Sequence, residues 1–578
     1  MNQNKWARVL AIVLAVMMMV SLAACAKTPA SSAPAGASSA AATPSKDENK
    51  YYNETGYPIC STPITITMAG SNQSSYTPDW NNLLEIKKIE EKFGIKINGT
   101  MYNRDAWKNT LATLLTGDDM PDLLICADLG ADAAKYGMQG QFLALNKYKD
   151  LMPNLFSLMD SHPDLKMALT AADGNVYGLN RYMDYKIVTA RSAPLWINET
   201  WLKNVGMEAP KTADEMYKVL KAFKEQDANG NGDKTDEIPL GAMDNWSAVY
   251  LNKQMMAMFG MYALGRTKEG TNYNFYVDDN GKVGMYETTE NYKAYLTFMQ
   301  KLYTEGLMDS EFYTMTDAQF TERRNANVYG MVAYSSWAGS TTTANDVKCI
   351  AGLTSDYTSV RGATLTGGAV DPGKCVVNAE TKYGEAICRL LDYFYTQENN
   401  DEFYEGVSWQ WENSTVKGFE NVKVRDQQAW AEKNGWERTK AWEFVTSKCL
   451  IQNGFQNFYV ADTSIYAGLD RDKLIEVNKQ LKADTENPGN CEMYVCFTDP
   501  DLKYFDAYPT LSYTAEELET RAQIMTTMTS FLDSQQAQII TGKTDIETGY
   551  KALVDGLKAQ GLDELLKLEQ TAYDRATK

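Results

Sequence analysis

The chain is nearly without histidine: it has one, His162, in 578 residues. That scarcity excludes a zinc site built from several imidazoles, and an imidazole set in Ser161-His162-Pro163 is poorly placed to serve as a triad base. His162 reads as a surface loop residue. Positive charge is also short, with 56 Lys and Arg against 75 Asp and Glu and a net charge of −19. Nucleic-acid backbones are bound mainly through Lys and Arg, so no nucleic-acid partner is expected, and docking on anionic lipid is disfavoured. Cysteine pairs at metal-ligand spacing are missing, since Cys60, Cys126, Cys349, Cys375, Cys388, Cys449, Cys491 and Cys496 are scattered. Cys491 and Cys496 are near enough in sequence to bridge, but a body of this size needs no disulfide framework. No fixed-period repeat is visible, which excludes a solenoid or propeller.

What is present is ordinary globular material, 44% hydrophobic and 23% charged, long enough for two or more domains. Its first 24 residues carry Lys5 and Arg8 and then the uncharged run Val9 to Ala24. This is the pattern of a secretory signal, too short and wrongly flanked for a spanning helix. Leu22-Ala23-Ala24-Cys25 resembles the bacterial lipobox, which implies cleavage before Cys25 and lipidation of its thiol. Residues 26–50 are alanine, serine and proline with little to bury, and read as a disordered tether spanning about 25 to 30 Å.

From residue 64 short apolar runs alternate with amphipathic stretches, the pattern of parallel strands covered by helices. Strands are expected at Ile64 to Met68, Ile95 to Ile97 and Asp122 to Cys126, with helices over Asn81 to Phe93 and Asp105 to Leu115. Ligands of open α/β sheets lie beyond the carboxyl ends of strands. That rule selects the Gly70–Ser74 turn, with Asn72 and Gln73, and Asp128 after the third strand. A second α/β region opens with a strand at Pro194 to Asn198 and a helix at Glu199 to Asn204. Thr212-Ala213-Asp214-Glu215, Thr514-Ala515-Glu516-Glu517 and Thr544-Asp545-Ile546-Glu547 read as capping boxes opening helices, the first reaching about Gln226. Further helices are expected at 247–262, 289–305 and 381–396.

Pro194-Leu195-Trp196-Ile197-Asn198-Glu199-Thr200-Trp201-Leu202-Lys203-Asn204-Val205-Gly206, followed by Pro210-Lys211-Thr212, resembles a characteristic block of bacterial extracellular solute-binding proteins of ABC transporters, family 1. Ala171 to Asn180 is similar to the strand entering their second lobe, and Ile539 to Lys543 with Leu557 to Asp574 resembles the lipoprotein branch. The resemblance implies an α/β fold of the periplasmic-binding type II class: a two-lobed clamshell, each lobe a sheet flanked by helices, crossed more than once by the chain. It places residues 51–180 and about 366–425 in the first lobe, and 181–365 and about 426–578 in the second. It implies a monomer that captures a solute by closing about a hinge and delivers it to ABC permease subunits, touching the membrane only through its lipid anchor on the outer face.

One loop points to a metal. In Asp227-Ala228-Asn229-Gly230-Asn231-Gly232-Asp233-Lys234-Thr235-Asp236-Glu237, oxygen side chains stand at positions one, three and five and glycine at six, as calcium requires. Position twelve is Ile238 rather than glutamate and Pro239 forbids an exiting helix, so this is no true EF-hand. Similar loops in the resembled branch imply a structural calcium held by Asp227, Asn229, Asn231, Asp236 and Glu237, with Asp233 adding its side chain or carbonyl.

Twelve tryptophans and 35 tyrosines suit a carbohydrate cleft, where rings stack on sugar faces and amides and carboxylates bond hydroxyls. Trp196 and Trp201 read as core. Trp246 beside Asp244, Trp337 after the run Val328 to Ala333, and the pair Trp409 and Trp411 sit among polar or glycine-rich loop residues and are candidates to face ligand. Arg181 is a candidate to hold a hydroxyl or carboxylate. Met255, Met256, Met258 and Met261, at helical spacing, read as packed core. The expected function is capture of an oligosaccharide without catalysis. A secreted glycoside hydrolase would need two carboxylates roughly 5 to 9.5 Å apart across the scissile bond, and a surface glycan adhesin would bind polymer without closure.

Overall fold

The computed structural model describes residues 50–577 except 73–77, 118, 185–194, 245, 264–273, 335–345, 366–370, 400–401, 404–410, 414–422, 426, 438–439, 452–453, 456–457, 462–468 and 484–488. Cys25 and the expected signal and tether lie outside them. Among the described residues no helix is long and apolar enough to cross a membrane.

The strands run β1 (Ile64–Asn72), β2 (Ile95–Asn103), β3 (Leu123–Ile125), β4 (Gly178–Asp184), β5 (Leu195–Asn198), β6 (Ile238–Gly241), β7 (Phe275–Val277), β8 (Val283–Met285), β9 (Tyr329–Ala333), β10 (Val347–Ile350), β11 (Gly362–Leu365), β12 (Asp371–Val377), β13 (Trp411–Asn413), β14 (Lys423–Arg425), β15 (Tyr459–Ala461) and β16 (Lys503–Asp506). They form a six-stranded sheet in the order β15-β4-β12-β3-β1-β2 and a four-stranded sheet in the order β10-β5-β9-β6, with three two-stranded pairs beside them.

Local chemistry explains how the first sheet starts. The helix Leu84–Phe93 buries Ile86, Ile89 and Phe93 on one face and ends at Gly94, whose φ of 68° is the left-handed cap that glycine adopts freely. Its N–H closes on the Glu90 carbonyl, and the chain turns directly into β2, parallel to β1. Successive strand residues point to opposite faces, so each sheet feeds two cores. Leu123 and Ile125 enter one cluster and Leu124 the other; likewise Cys375 and Val377 against Val376. In the second sheet Leu195 and Ile197 enter one core and Trp196 the opposite one. Sheets buried on both faces need helices on both, which is the expected clamshell layering.

The chain visits the first sheet through β4, the second from β5 to β10, and the first again in β12 and β15. Helices from Met525 to Leu565 then pack in the second core. The segment Ala431 to Phe458, placed in the second lobe by the sequence reading, buries its apolar side chains in the first core instead. The chain then returns to the first sheet, where β15 pairs in parallel with β4.

Several local expectations change. The third helix cap is Asp545, whose side chain accepts from Thr548 N, rather than Thr544. Thr212 caps as expected, but Glu215 returns its bond to Lys211 N. His162 is half-buried between two helices, its ring edge-on to Tyr182 at 5.0 Å, because the proline after it starts a new helix and folds the loop inward. Trp196, Trp201 and the four methionines are buried core.

Candidate functional site

In the first sheet β1, β2 and β3 are parallel, and β4 runs the same way because β12 is antiparallel to both β3 and β4. Their carboxyl ends, at Asn72, Asn103, Ile125 and Asp184, therefore share one edge, from which β12 also starts. In the second sheet β6 and β9 are parallel, and the carboxyl end of β9, Ala333, faces the start of β5, Leu195, which also pairs with the end of β10, Ile350. The crossing from β4 to β5 spans residues 185–194, and the return reaches β12 through 366–370. The first crossing thus joins the carboxyl edges of the two sheets, where ligands of open α/β sheets bind; the return enters the same edge of the first sheet from β11, which pairs with β16 outside both sheets. The halves also meet away from the sheets, where Leu511 and Tyr513 pack with Ala131 and Met167.

The edge of the first sheet is tightly built. A Cβ on Gly70 would lie 2.0 Å from the Ile125 carbonyl oxygen and 2.9 Å from the Trp80 ring, so only glycine lets β1 and β3 close here. Past β3 the chain takes left-handed turns at Cys126 (φ 51°) and Asp128 (φ 53°), conformations that cost non-glycine residues free energy and cluster at functional sites. The turn is clamped: Ala127 N donates to Lys374 O at 3.0 Å, Leu129 N to Gly373 O at 3.2 Å, and Trp107 Nε1 to Ala127 O at 3.1 Å. Asp128 projects outward and is ion-paired with Lys374 Nζ. Arg181 stands opposite Asp371 in the β4–β12 register; it is half-buried, and its Nε has no hydrogen-bond partner among the described residues.

Asp244 lies beyond β6, its N–H donating to Phe312 O at 2.8 Å. Its side chain lines a cavity of about 840 Å³ with Asn252, Tyr295, Tyr303, Tyr313 and the helix residues Asp533 and Gln538. Burial, with the nearby Asp244 charge, pushes the Tyr313 hydroxyl pKa far up, so it stays a neutral donor. Asn72 ends β1, Trp411 starts β13 and Trp246 starts the helix Trp246–Ala257, but their side chains are not among the described positions. Gln73, Trp337 and Trp409 lie outside the described residues. Sequence reasoning missed Lys374, Trp107 and Tyr313. Lys374 and Trp107 reach the Asp128 turn only through strand register and a helix packed on it, which no local motif announces; Tyr313 follows a loop with no pattern of its own.

The Asp227 loop closes on itself. Gly232 N donates to Asp227 Oδ2 at 2.9 Å, Ala228 N to Glu237 Oε1 at 3.0 Å, and the Asn229 and Asn231 amides both donate to Asp236, at 2.9 and 2.7 Å. Asn231 and Asp233 accept from backbone N–H groups two residues on. Two carboxylate oxygens, Asp227 Oδ1 and Glu237 Oε2, are buried with no donor among the described residues. Burial, the largest effect, raises the Glu237 pKa. Buried carboxylate oxygens without donors are costly unless a cation completes them, so the donor set fits a hard ion. Among the described residues no group of three or more His, Cys, Asp or Glu is arranged to hold a metal, and the loop relies on asparagines for the rest of its oxygens.

No family model matches the chain. It is 25% identical over 519 residues, 86% of this chain and 88% of the other, to the fructooligosaccharide ABC transporter substrate-binding protein FusA of Streptococcus pneumoniae serotype 4. It is 31% identical over 246 residues, 41% of this chain and 43% of the other, to the lipoprotein LipO of Bacillus subtilis. The structure of FusA with kestose superposes with a TM-score of 0.65 at 22% identity, covering 89% of this chain and 99% of that one. FusA has also been solved as an EF-hand mutant with fructo-nystose, at a TM-score of 0.64, 22% identity and the same coverage. A human-milk-oligosaccharide-binding ABC-transporter protein of Bifidobacterium longum infantis superposes at 0.65 with 20% identity, covering 90% of this chain and all of the other.

Proposed function

We propose that the chain, which is similar to the substrate-binding proteins of ABC transporters, captures an oligosaccharide outside the cell and hands it, chemically unaltered, to an ABC permease. The observation that carries this reading is the match to a fructooligosaccharide-binding protein along nearly the whole of both chains. In this reading the first lobe comprises residues 51–184 and 371–461 and the second 195–365 and 471–577. The ligand lies between the two carboxyl edges, with the Asp128 turn, Arg181, Asn72 and Gln73 on one side and Trp246 and Trp337 on the other. Asp244 and the Tyr313 hydroxyl receive hydroxyl groups, and Trp409 and Trp411 supply further stacking faces. Closure of the lobes converts weak stacking and hydrogen bonds into a buried site. No residue is assigned a catalytic role.

We assign a structural calcium to the Asp227 loop. Asp227, Asp236 and Glu237 would hold it, with Asn229, Asn231 and Asp233 completing the oxygen shell, and the ion would supply the positive charge that the two donor-less carboxylate oxygens lack. Cys25 is assigned as the lipidated first residue of the mature chain, with residues 26–50 as its tether. A thermal-shift screen of the purified chain against oligosaccharides tests the capture reading. A saturable rise in melting temperature with at least one of them, in the presence of calcium, is the expected result, since ligand stabilises the folded state by mass action. Release of shortened sugars during incubation would favour a hydrolase instead.

A further inference from the structure

The eight cysteines of the described residues are free thiols, and two of them are brought together by the fold from opposite ends of the second half. Cys349 sits in β10, an edge strand, at 3% exposure; Cys496 is half-buried in the helix Gly489–Phe497 and packs in the same cluster. Both side chains pack into that one cluster, alongside Met493 and Phe497 of the same helix. The contact is held from the backbone: Glu492 Oε1 accepts from Cys349 N at 3.2 Å, and Glu492 and Cys496 are one helical turn apart on the same face. Asn478 fixes the other oxygen of Glu492 from the neighbouring helix. The pairing suggested by sequence proximity is excluded. Cys491 and Cys496, five residues apart on one helix, point about 140° from each other at a rise of about 7.5 Å, beyond the usual Cα separation of a disulfide. Cys491 instead donates to Leu474 O at 3.5 Å inside a satellite cluster.

We propose that Cys349 and Cys496 form a disulfide that ties the helix pair Arg471–Ala483 and Gly489–Phe497 to the edge of the second sheet. Among the described residues the satellite cluster joining these two helices buries Leu474, Val477, Cys491 and Tyr494, while Met493 and Phe497 of the second helix pack in the cluster that holds Cys349. A covalent link to β10 adds to that packing and keeps the edge strand covered. The oxidant is a disulfide-exchanging thiol system outside the cytoplasm, so the proposal rests on the exported reading for its supply. With glutathione disulfide as the probe, the half-buried Cys496, more accessible than Cys349, attacks one sulfur as its thiolate and releases a glutathione thiolate. The Cys349 thiol, losing its proton to solvent, then attacks Cys496 Sγ and expels the second glutathione. Two protein thiols are oxidised and one glutathione disulfide becomes two glutathiones. Cys349 is buried beside the Glu492 carboxylate, both of which oppose its thiolate, so the second step is the slow one.

The test uses the purified full chain equilibrated with glutathione disulfide, alkylated without reduction and digested with trypsin. Cleavage leaves Cys349 in peptide 349–361 and both Cys491 and Cys496 in peptide 483–503. The expected result is one species with the summed mass of the two peptides less the two thiol hydrogens of Cys349 and Cys496, carrying one alkyl label on Cys491. It is lost in Cys496→Ser, kept in Cys491→Ser, and split by reductant. Recovery of alkylated Cys349 from the native chain, or a link closed within 483–503, overturns the proposal. Because the oxidant is added, this result does not depend on export or on sugar binding; those fail separately, in lipid labelling of Cys25 and in the thermal-shift screen.

Discussion

Replacing Asp392 with asparagine removes the pH dependence that one buried carboxylate imposes on the first half of the molecule. Asp392 lies in the last turn of the helix Gly384–Tyr393 at 5% exposure, and Cys388 and Leu391 beside it are core. Its Oδ1 accepts from Leu155 N at 2.9 Å and its Oδ2 from Asn154 Nδ2 at 2.7 Å. Leu155 belongs to the first turn of the helix Pro153–Ser161, whose own N-cap residue, Met152, offers no side-chain cap. Asp392 therefore caps a neighbouring helix from outside, an arrangement that favours its charge. Burial opposes the charge more strongly and raises the pKa from 3.8 to about 6. A shift of about two units corresponds to about 3 kcal/mol. Because the folded pKa lies above the unfolded one, the folded state holds the extra proton between pH 4 and 6. Stability from this group is full below pH 4 and is lost as pH rises through 6. Asparagine does not titrate and pays only a constant cost for one altered hydrogen bond. Urea midpoints followed by tryptophan fluorescence at pH 4, 5, 6 and 7 should show the stability of Asp392→Asn gaining on the parent by about 3 kcal/mol across that range. A difference that stays flat, or that shrinks as pH rises, refutes the assignment of burial as the dominant effect.

Arg323→Ala should cost about 3 kcal/mol, read as a lower urea midpoint, because it strips both 2.8 Å guanidinium bonds from Asp309, a carboxylate 1% exposed that otherwise keeps the Tyr329 hydroxyl and the Glu311 N–H but no cation among the described residues. Calcium at one hundred times its dissociation constant should add about 2.7 kcal/mol to stability; differential scanning calorimetry with and without chelator should show the gain, and Asp227→Ala should abolish it. Gly70→Ala should destabilise by about 1 to 3 kcal/mol and weaken sugar binding as well, since the new methyl would meet the Ile125 carbonyl at 2.0 Å and force β1 from β3 at the carboxyl edge; calorimetric melting and titration report the two effects separately.

Elements with strong periodicity could be read from the chain directly. The helix Glu199–Asn204 has the bounds its sequence suggests, because Asn198 caps it and the apolar Trp201 and Leu202 fix its buried side. Capping chemistry also located the starts of Ala213–Glu225 and Ala515–Ile540. What sequence could not convey was order in space. That β12 threads between β3 and β4 is a property of pairing partners nearly 200 to 250 residues apart. The same holds at the site: Asp128 was selected by its place after a strand, whereas Lys374, which neutralises it, arrives from β12. The Asp227 loop could be picked out because its oxygens lie within eleven consecutive residues, whereas its two buried oxygens without donors among the described residues required coordinates. The Cys349 and Cys496 contact was not legible, since nothing local distinguishes either from the other buried thiols.

Native mass spectrometry of the purified chain with a panel of oligosaccharides bears on the central claim most directly. The account predicts a single non-covalent adduct with at least one sugar, at the mass of one intact oligosaccharide per chain, released at that same mass on denaturation. A covalent glycosyl adduct, a shortened sugar in the released fraction, or no adduct with any sugar of the panel would contradict it.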